Sequence, residues 1–474
     1  MSTQWVVLKY GGTSVAGRPQ WEAIATQVNS HLSQGHRVLL VCSAVAGITN
    51  ALTDLANDPG SEEKFAAILV RHRKLAADLG VPDAMWLETA ELALRTGVRA
   101  LAAGAGFAGQ AELLAMGEWL STRIGASFLQ QFLAVSWVDV REILHIRDEP
   151  ELSPVRQWLS ASCEPGLDEG LLQRFDQLSP VVITQGFVAS TADGRTALLG
   201  RGGSDTSAAL LAGRLACIQL EIWTDVPGLF STDPRLVPQA RLLAVLGYDE
   251  ALEMAASGAK VVHPRCIRAA AATNTPLLIL DTARPQLTGT RIARAEPVGM
   301  GERQGCVKAI TCQKDMVVLL LQNIDTRREV GFLARVFDIF RRNGVSIDLV
   351  ATSETTTTVA INGPANHLDE SAIRVLITEL QAQCTVQVHT HCVCINLVGS
   401  SVRTALAKLE STMNFFRDHP LLMLSQSAND LCLSLLINAE DHETLLRLAH
   451  QALIPGGLET SDGVFGPRWQ DIQG

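Results

Sequence analysis

Over residues 1–295 short unbroken apolar runs alternate with stretches whose apolar positions recur every three to four residues. Trp5–Tyr10 predicts a strand and GGTS after it a turn. Pro19 then opens a helix that carries Trp21, Ala25, Val28 and Leu32 on one face until Gly35 stops it. Arg37–Val41 predicts a second strand, followed by the small-residue loop SAVAG. Val181–Thr184, Ala197–Leu199 and Gln219–Trp223 predict further strands that run into glycine-containing turns, and Asn57–Ala103 is mostly helical in composition. Strand, turn and helix in repetition predict an α/β domain with a largely parallel sheet.

From Gly305 the pattern changes. Strand Met316–Asn323, helix Gly331–Arg342, strands Ser346–Ala351 and Val359–Asn362, helix Glu370–Gln381 and strand Thr385–Val388 spell βαββαβ. The same order begins again with strand Cys392–Val398, helix Val402–Phe416, strands Leu421–Ser425 and Leu431–Ile437 and helix His442–Ala452, an internal repeat. The second copy lacks a last strand, since IPGGLETSDG is turn chemistry. Cys306–Thr311 is free to supply it, which predicts that the first unit is inserted into the second. The expected boundaries are 1–295 for the large domain, 314–388 for the first small unit, and 304–313 with 389–465 for the second.

Composition narrows the function. With 39 basic and 49 acidic residues the net charge is −10, and no basic cluster interrupts the chain, which argues against a nucleic-acid partner. The longest apolar-leaning run, Val38–Ile48, is far short of the ~20 residues of a membrane span. The opening MSTQWVVLKY lacks the pattern of a signal peptide. Ten scattered cysteines without a C-x-x-C pair read as reduced thiols, so a cytoplasmic location and no metal site are expected.

Three glycine-containing turns stand where strands end: Lys9-Tyr10-Gly11-Gly12-Thr13-Ser14, Gly200-Arg201-Gly202-Gly203-Ser204-Asp205 and Thr224-Asp225-Val226-Pro227-Gly228. Ligands of open α/β sheets bind at the carboxyl ends of strands, and glycines let backbone N–H groups approach a phosphate. Neither the P-loop pattern nor a G-x-G-x-x-G at the first strand is present. Two such turns with a lysine and an aspartate point to phosphate binding.

KYGGTS, SAVAGITN at Ser43–Asn50, MGEWLS at Met116–Ser121, GRGGSDTSAALLA at Gly200–Ala212, WTDVPGLFSTDPR at Trp223–Arg235 and GAKVVHPR at Gly258–Arg265 resemble, in order, the motif set of aspartate kinases. The tandem βαββαβ units resemble the paired ACT regulatory domains of that family. Val45, Phe230 and the stretch Asp325–Val330 depart from the common pattern. The resemblance implies an amino-acid-kinase α/β/α sandwich with a largely parallel central sheet, followed by two ferredoxin-like ACT units. It also implies transfer of the γ-phosphoryl of ATP, used with Mg²⁺, to the side-chain carboxylate of L-aspartate, the first step towards lysine, threonine and methionine. The alternatives are a kinase for another acyl or amino acid and an inactive ACT amino-acid sensor.

The residues suit that reaction. A carboxylate acceptor is already an anion at neutral pH, so positioning and charge neutralisation are needed rather than a general base. Lys9 is the expected transition-state cation, and Asp205 orients it or a Mg²⁺-bound water, or caps the helix that begins there. The N–H groups of Gly11, Gly12 and Gly203 would hold phosphate oxygens. Glu118 suits the substrate ammonium and Arg201 its carboxylate, with Ser43, Thr49 and Ser204 adding hydrogen bonds. The resemblance gives Thr224, Asp225, Phe230, Arg235 and Lys260 to the nucleotide, whereas His263 before Pro264 reads as a turn or packing residue. It also implies a lysine effector at Phe332 and Leu333, at Ser346, Ile347 and Asp348, and at Ser353 and Glu354, and a homodimer or larger homo-oligomer paired through ACT strand edges.

Overall fold

The computed structural model describes residues 4–259, 261–294, 306–322, 330–366, 368–404, 420–438, 442–455 and 463–473. The chain forms two compact units. One comprises residues 1–229, 244–252 and 260–295, and the other 230–243, 253–259 and 296–474.

The strands, in chain order, are β1 (Trp5–Tyr10), β2 (Arg37–Cys42), β3 (Val135–Trp137), β4 (Val181–Gln185), β5 (Val188–Ser190), β6 (Thr196–Leu198), β7 (Gln219–Thr224), β8 (Arg241–Leu243), β9 (Val245–Gly247), β10 (Leu277–Asp281) and β11 (Thr290–Ala293). In the N-terminal unit eight of them form one sheet in the order β3-β4-β2-β1-β7-β10-β11-β9. Every pairing is parallel except that of β10 with β11. Parallel strands are covered on both faces and so read as unbroken apolar runs, and all six residues of β1 are buried. β5 and β6 form a separate antiparallel hairpin.

Helix Arg18–Ser33 begins with its proline in the first turn and buries Trp21, Ile24, Ala25, Val28 and His31. Its Trp21 indole is fully buried and donates from Nε1 to the Val15 carbonyl at 3.1 Å. The ring lies over Gly125 of helix Gly106–Leu129, where a Cβ would stand 1.9 Å from the indole Cη2. Gly125→Ala is therefore expected to overpack this contact at about 1–3 kcal/mol. Thermal unfolding of the variant measures it, and an unchanged midpoint would show that the indole moves freely.

A buried polar cluster not legible in the sequence ties this helix to the sheet. His31 Nε2 lies 3.2 Å from Glu221 Oε1, and Glu221 accepts from Gln219 Nε2 at 2.6 Å and Trp223 Nε1 at 2.9 Å. Trp223 in turn stacks on Tyr10, with ring centroids 6.0 Å apart. The cluster thus fixes the two residues that flank the ligand-binding ends of β1 and β7.

The strands of the C-terminal unit, besides β8, are β12 (Cys306–Gln322), β13 (Leu349–Thr352), β14 (Thr356–Asn362), β15 (Thr385–Ser400), β16 (Leu421–Gln426), β17 (Cys432–Asn438) and β18 (Phe465–Arg468). Six of them form an antiparallel sheet in the order β13-β14-β12-β15-β17-β16. Alternation along β12 sends Val317, Leu319 and Leu321 to a core with Val336, Ile339, Phe340, Leu376 and Leu380 of two helices. Met316 and Val318 face a second cluster with Cys392, Cys394 and Leu436.

The separate strands expected around Met316 and Cys392 are halves of two long strands. The register of β12 against β15 shifts between Gln313 and Met316 and again between Met316 and Val318. Asp315 and His391 take left-handed conformations there, at φ 57° and 55°. A bulge at such a residue bends a strand without ending it. The strand expected at Ser346–Ala351 forms only at Leu349–Thr352, and of helix Val402–Phe416 only a 3₁₀ turn at Val402–Thr404 lies within the described residues.

The N-terminal unit is not the continuous span 1–295, because two segments within it pack with the C-terminal unit. β8 pairs with β18, and Ser257 accepts at Oγ from Thr311 Oγ1 at 2.8 Å. The nine cysteines whose side chains are described are free thiols. No described helix is long and apolar enough to cross a membrane.

Candidate active site

The ends of β1 and β2 carry two interlocked loops. Ser43 N–H donates to Tyr10 O and Ala46 N–H to Gly12 O, both at 3.1 Å. Gly12 lies so close to the second loop that a Cβ would stand 2.6 Å from Ala44 O. Across from them helix Gly203–Arg214 begins at Gly202, which takes φ 66° and abuts the His263 ring. Helix Gly106–Leu129 passes beneath with Glu118, Ser121 and Thr122 buried. Ser121 Oγ donates to Ser43 O at 2.8 Å.

These elements enclose a cleft of about 390 Å³ lined by Lys9, Gly12, Ser43, Thr49, Glu118, Gly203, Ser204 and Asp205, together with Ala44–Gly47, Asn50, Phe187, Gly200 and Gly202. Lys9 is only 8% exposed, and its Nζ lies 2.5 Å from Asp205 Oδ1. Asp205 stands in the first turn of its helix and holds the lysine there. The helix cap is Gly202 rather than Asp205, since the left-handed turn places Asp205 inside the helix. The start of that helix faces the same cleft with its positive dipole end, but the Gly203 N–H, expected to hold a phosphate oxygen, donates to Gly200 O at 2.9 Å.

Glu118 sits in the middle of its helix, 3% exposed. Its Oε1 accepts from Ala44 N–H at 3.1 Å, while Oε2 is buried without a hydrogen-bond partner. Burial pushes its carboxyl up to about 8, with the Ala44 N–H opposing the shift. A buried acceptor left half-satisfied is costly unless something else completes it. The cleft thus offers one buried carboxyl that an arriving cation would ionise, one lysine held by an aspartate, and the positive end of a helix.

Residues 4–281 match the amino acid kinase family. Over 461 residues the chain is 32% identical to lysine-sensitive aspartokinase 3 of Escherichia coli strain K12, covering 94% of this chain and 99% of that one. The chain belongs to the amino acid kinase family, as one of its aspartokinases. It is also 26% identical to the chloroplastic aspartokinase 2 of Arabidopsis thaliana, over 94% of this chain and 84% of that one. Among solved structures it is similar to E. coli aspartokinase III in complex with aspartate and ADP, with a TM-score of 0.75 and 30% identity over 95% of this chain and all of that one. The same enzyme in complex with lysine and aspartate gives a TM-score of 0.77, again at 30% identity, over 95% of this chain and 99% of that one.

Not every residue expected at the site of this aspartokinase lines the cleft. The Arg201 side chain is exposed and stands outside the lining, although the glycines on either side of it take part. Gly11 is also outside the lining, and a Cβ there would lie 3.7 Å from Lys9 Nζ. Thr224 ends β7 and Asp225 follows it, and Thr224 O accepts from Thr282 N and Oγ1 at 2.9 and 3.0 Å. Phe230 and Arg235 lie in the C-terminal unit, where the Arg235 side chain is 85% exposed and pairs with Asp233 at 2.8 Å. Lys260 lies outside the described residues. His263 caps helix Pro264–Ala272, as its place before a proline suggests.

Phe187 was missed. It lines the cleft at φ 66°, in a tight turn closed by Val188 N–H to Gly186 O at 2.7 Å. Its ring lies where a Cβ on Gly203 would fall, at 2.6 Å. A left-handed phenylalanine is strained, and such strain concentrates at functional sites. Only the preceding glycine hints at it in the sequence.

Proposed function

We propose that this chain is an ATP-dependent aspartate kinase that joins the γ-phosphoryl of ATP to the side-chain carboxylate of L-aspartate. The observation that carries the reading is the half-satisfied Glu118 buried in the same cleft as the Lys9–Asp205 pair. Glu118 takes the substrate ammonium on Oε2. Ser43, Thr49 and Ser204 contribute hydroxyls to the substrate, and Arg201 swings in from its exposed position to the α-carboxylate. An oxygen of the side-chain carboxylate forms a bond to the γ-phosphorus as the bond to the β,γ-bridging oxygen breaks, and ADP leaves with that electron pair. No proton moves, so the enzyme supplies position and charge. Lys9 neutralises the transferring group, Asp205 keeps Lys9 aimed, the N–H groups of Gly11 and Gly12 hold phosphate oxygens, and the positive end of the helix that Gly203 begins faces them. Thr224, Asp225, Phe230, Arg235 and Lys260 serve the nucleotide.

Among the described residues no group of three His, Cys, Asp or Glu is placed to hold a metal ion. That donor set fits Mg²⁺ carried by the nucleotide's phosphates and water, with Asp205 the carboxylate in the cleft nearest to it in role. Bound there, Mg²⁺ would neutralise phosphate charge. ADP release measured with aspartate, glutamate and N-acetylglutamate tests the reading. Release only with a substrate other than aspartate would replace it, and none with any would favour the amino-acid sensor.

The C-terminal sheet supports two ACT units, the first inserted in the second, because Cys306–Gln313 pairs antiparallel with Cys394–Ser400. The proposed effector is lysine. Phe332 opens helix Phe332–Arg342 after Gly331 at φ 90°, and Leu333 is 39% exposed beside it. Ile347 packs on the core, and Asp348 accepts from Asn362 N–H at 2.7 Å while burial raises its carboxyl. Ser346 N–H donates to Asn366 Oδ1 at 2.6 Å, Ser353 closes the turn to Thr356, and Glu354 is exposed. N–H groups at the helix start suit an α-carboxylate, and Glu354 suits an ammonium. Millimolar lysine is expected to inhibit the wild type at fixed aspartate and ATP and to raise its melting midpoint, with both effects weakened in Glu354→Ala. Rate and midpoint untouched by lysine would remove the effector and leave the kinase reading standing. β13 and β16 are the sheet's edges, so pairing with a second copy would make a homodimer.

A further inference from the structure

The chain leaves β7 at the end of the sheet where ligands of α/β folds bind, and from Phe230 to Leu243 it packs with the C-terminal unit. The end of the chain holds this segment. β18 runs antiparallel to β8, with Phe465 opposite Leu243 and Arg468 opposite Arg241. Trp469 N–H donates to Ala240 O at 2.8 Å and Gln470 N–H to Pro238 O at 3.3 Å. Arg241, 2% exposed, donates to the carbonyls of Phe465 and Gly466 at 3.0 Å and of Pro455 at 3.3 Å.

The start of the segment is held as firmly. Ser231 O accepts from Ile310 N–H at 2.7 Å, and Ser231 Oγ meets His450 Nε2 at 2.9 Å. Beside it the Trp469 ring stands edge-to-face with Phe230, with centroids 5.4 Å apart and planes at 89°. Phe230 is half-buried, so this contact leaves part of its ring open. Backbone hydrogen bonds alone would secure a tail. They do not require an indole against the one aromatic ring of the segment.

We infer that Trp469 is a positioning residue for the nucleotide: it fixes the ring of Phe230, and β18 fixes Trp469. The inference rests on the assignment of Phe230 to the nucleotide made above. A side chain already held in its bound orientation loses less entropy when ligand arrives. The aromatic pair has a preferred geometry that an aliphatic neighbour cannot impose.

The test uses the full chain with Trp469→Leu and Trp469→Phe. Steady-state kinetics are joined by calorimetric titration with Mg-ADP in the absence of aspartate. The leucine variant is expected to raise KM for ATP and Kd for ADP about three- to tenfold, with KM for aspartate and kcat at saturating ATP unchanged within error. The phenylalanine variant should recover most of the loss. Unchanged nucleotide affinity in folded Trp469→Leu overturns the inference, as does a parallel rise in both KM values, which a merely structural tail would produce. If the wild type releases no ADP with aspartate, the kinase reading fails and the ADP titration alone decides this one. Should Trp469→Leu not fold, Trp469→Met takes its place with the same outcomes.

Discussion

Lys9→Ala is expected to lower kcat by about 10²–10⁴ while leaving KM for aspartate nearly unchanged, the signature of one lost transition-state contact. Lys9 is the penultimate residue of β1, a strand paired on both sides, so its backbone cannot drift. Its ammonium is 2.5 Å from Asp205 and almost wholly withdrawn from water. A charge held this way needs no reorganisation when negative charge gathers on the transferring phosphoryl. Asp205→Asn should show a smaller loss, because the lysine remains but is no longer aimed. Lys9→Arg should not restore the rate, since a planar fork cannot replace a point charge in the same space. Single-turnover ADP formation in the folded variant is the measurement. A near-normal rate would remove Lys9 from the chemistry and leave the helix N-terminus as the principal electrostatic partner.

What the sequence disclosed, and what it hid, follows from the range of the interactions involved. β1, β2 and β4 were legible because strands buried on both faces read as nearly unbroken apolar runs, β7 because Leu220, Ile222 and Trp223 lead into a glycine-containing turn, and the glycine turns after β1 and before helix Gly203–Arg214 were legible as local chemistry. The Glu221–His31 cluster was hidden, because its partners are far apart in the chain and neither residue type announces burial. The continuity of β12 and β15 was hidden by Asp315 and His391, whose left-handed conformations look in sequence like ordinary breaks. The departure of residues 230–243 from the N-terminal unit depends on pairing with Phe465–Arg468, more than two hundred residues later, which no local pattern encodes. Phe187 owes its place to a strained turn that phenylalanine does not favour. Arg201 was found by motif, yet its exposed side chain shows that a motif fixes a backbone position and not where a long side chain rests.

Glu118→Gln is expected to raise KM for aspartate by roughly 30-fold or more, the equivalent of about 2–5 kcal/mol for one partner of a desolvated ion pair, with KM for ATP unchanged. The amide keeps an oxygen for Ala44 N–H, so the loop at Ser43–Gly47 should stay in place and the loss reports the ammonium contact alone. The pH dependence gives a second, independent signature. Burial raises the Glu118 carboxyl from its ordinary 4.5 to about 8. At pH 6–7 it is therefore protonated, and an arriving ammonium must displace that proton. KM for aspartate should accordingly rise by up to tenfold for each pH unit below about 8 in the wild type, and Glu118→Gln should lack this slope. Stability carries the same sign. A carboxyl whose value is higher in the fold than in the unfolded chain stabilises the fold fully below pH 4.5, and that contribution is lost as the pH rises through about 8. The glutamine variant, which cannot ionise, should thus melt higher than the wild type at neutral and alkaline pH while binding aspartate worse. A KM for aspartate flat between pH 6 and 8, or a rise in KM for ATP in the variant, would take Glu118 away from the ammonium and place it with the nucleotide or with the fold alone.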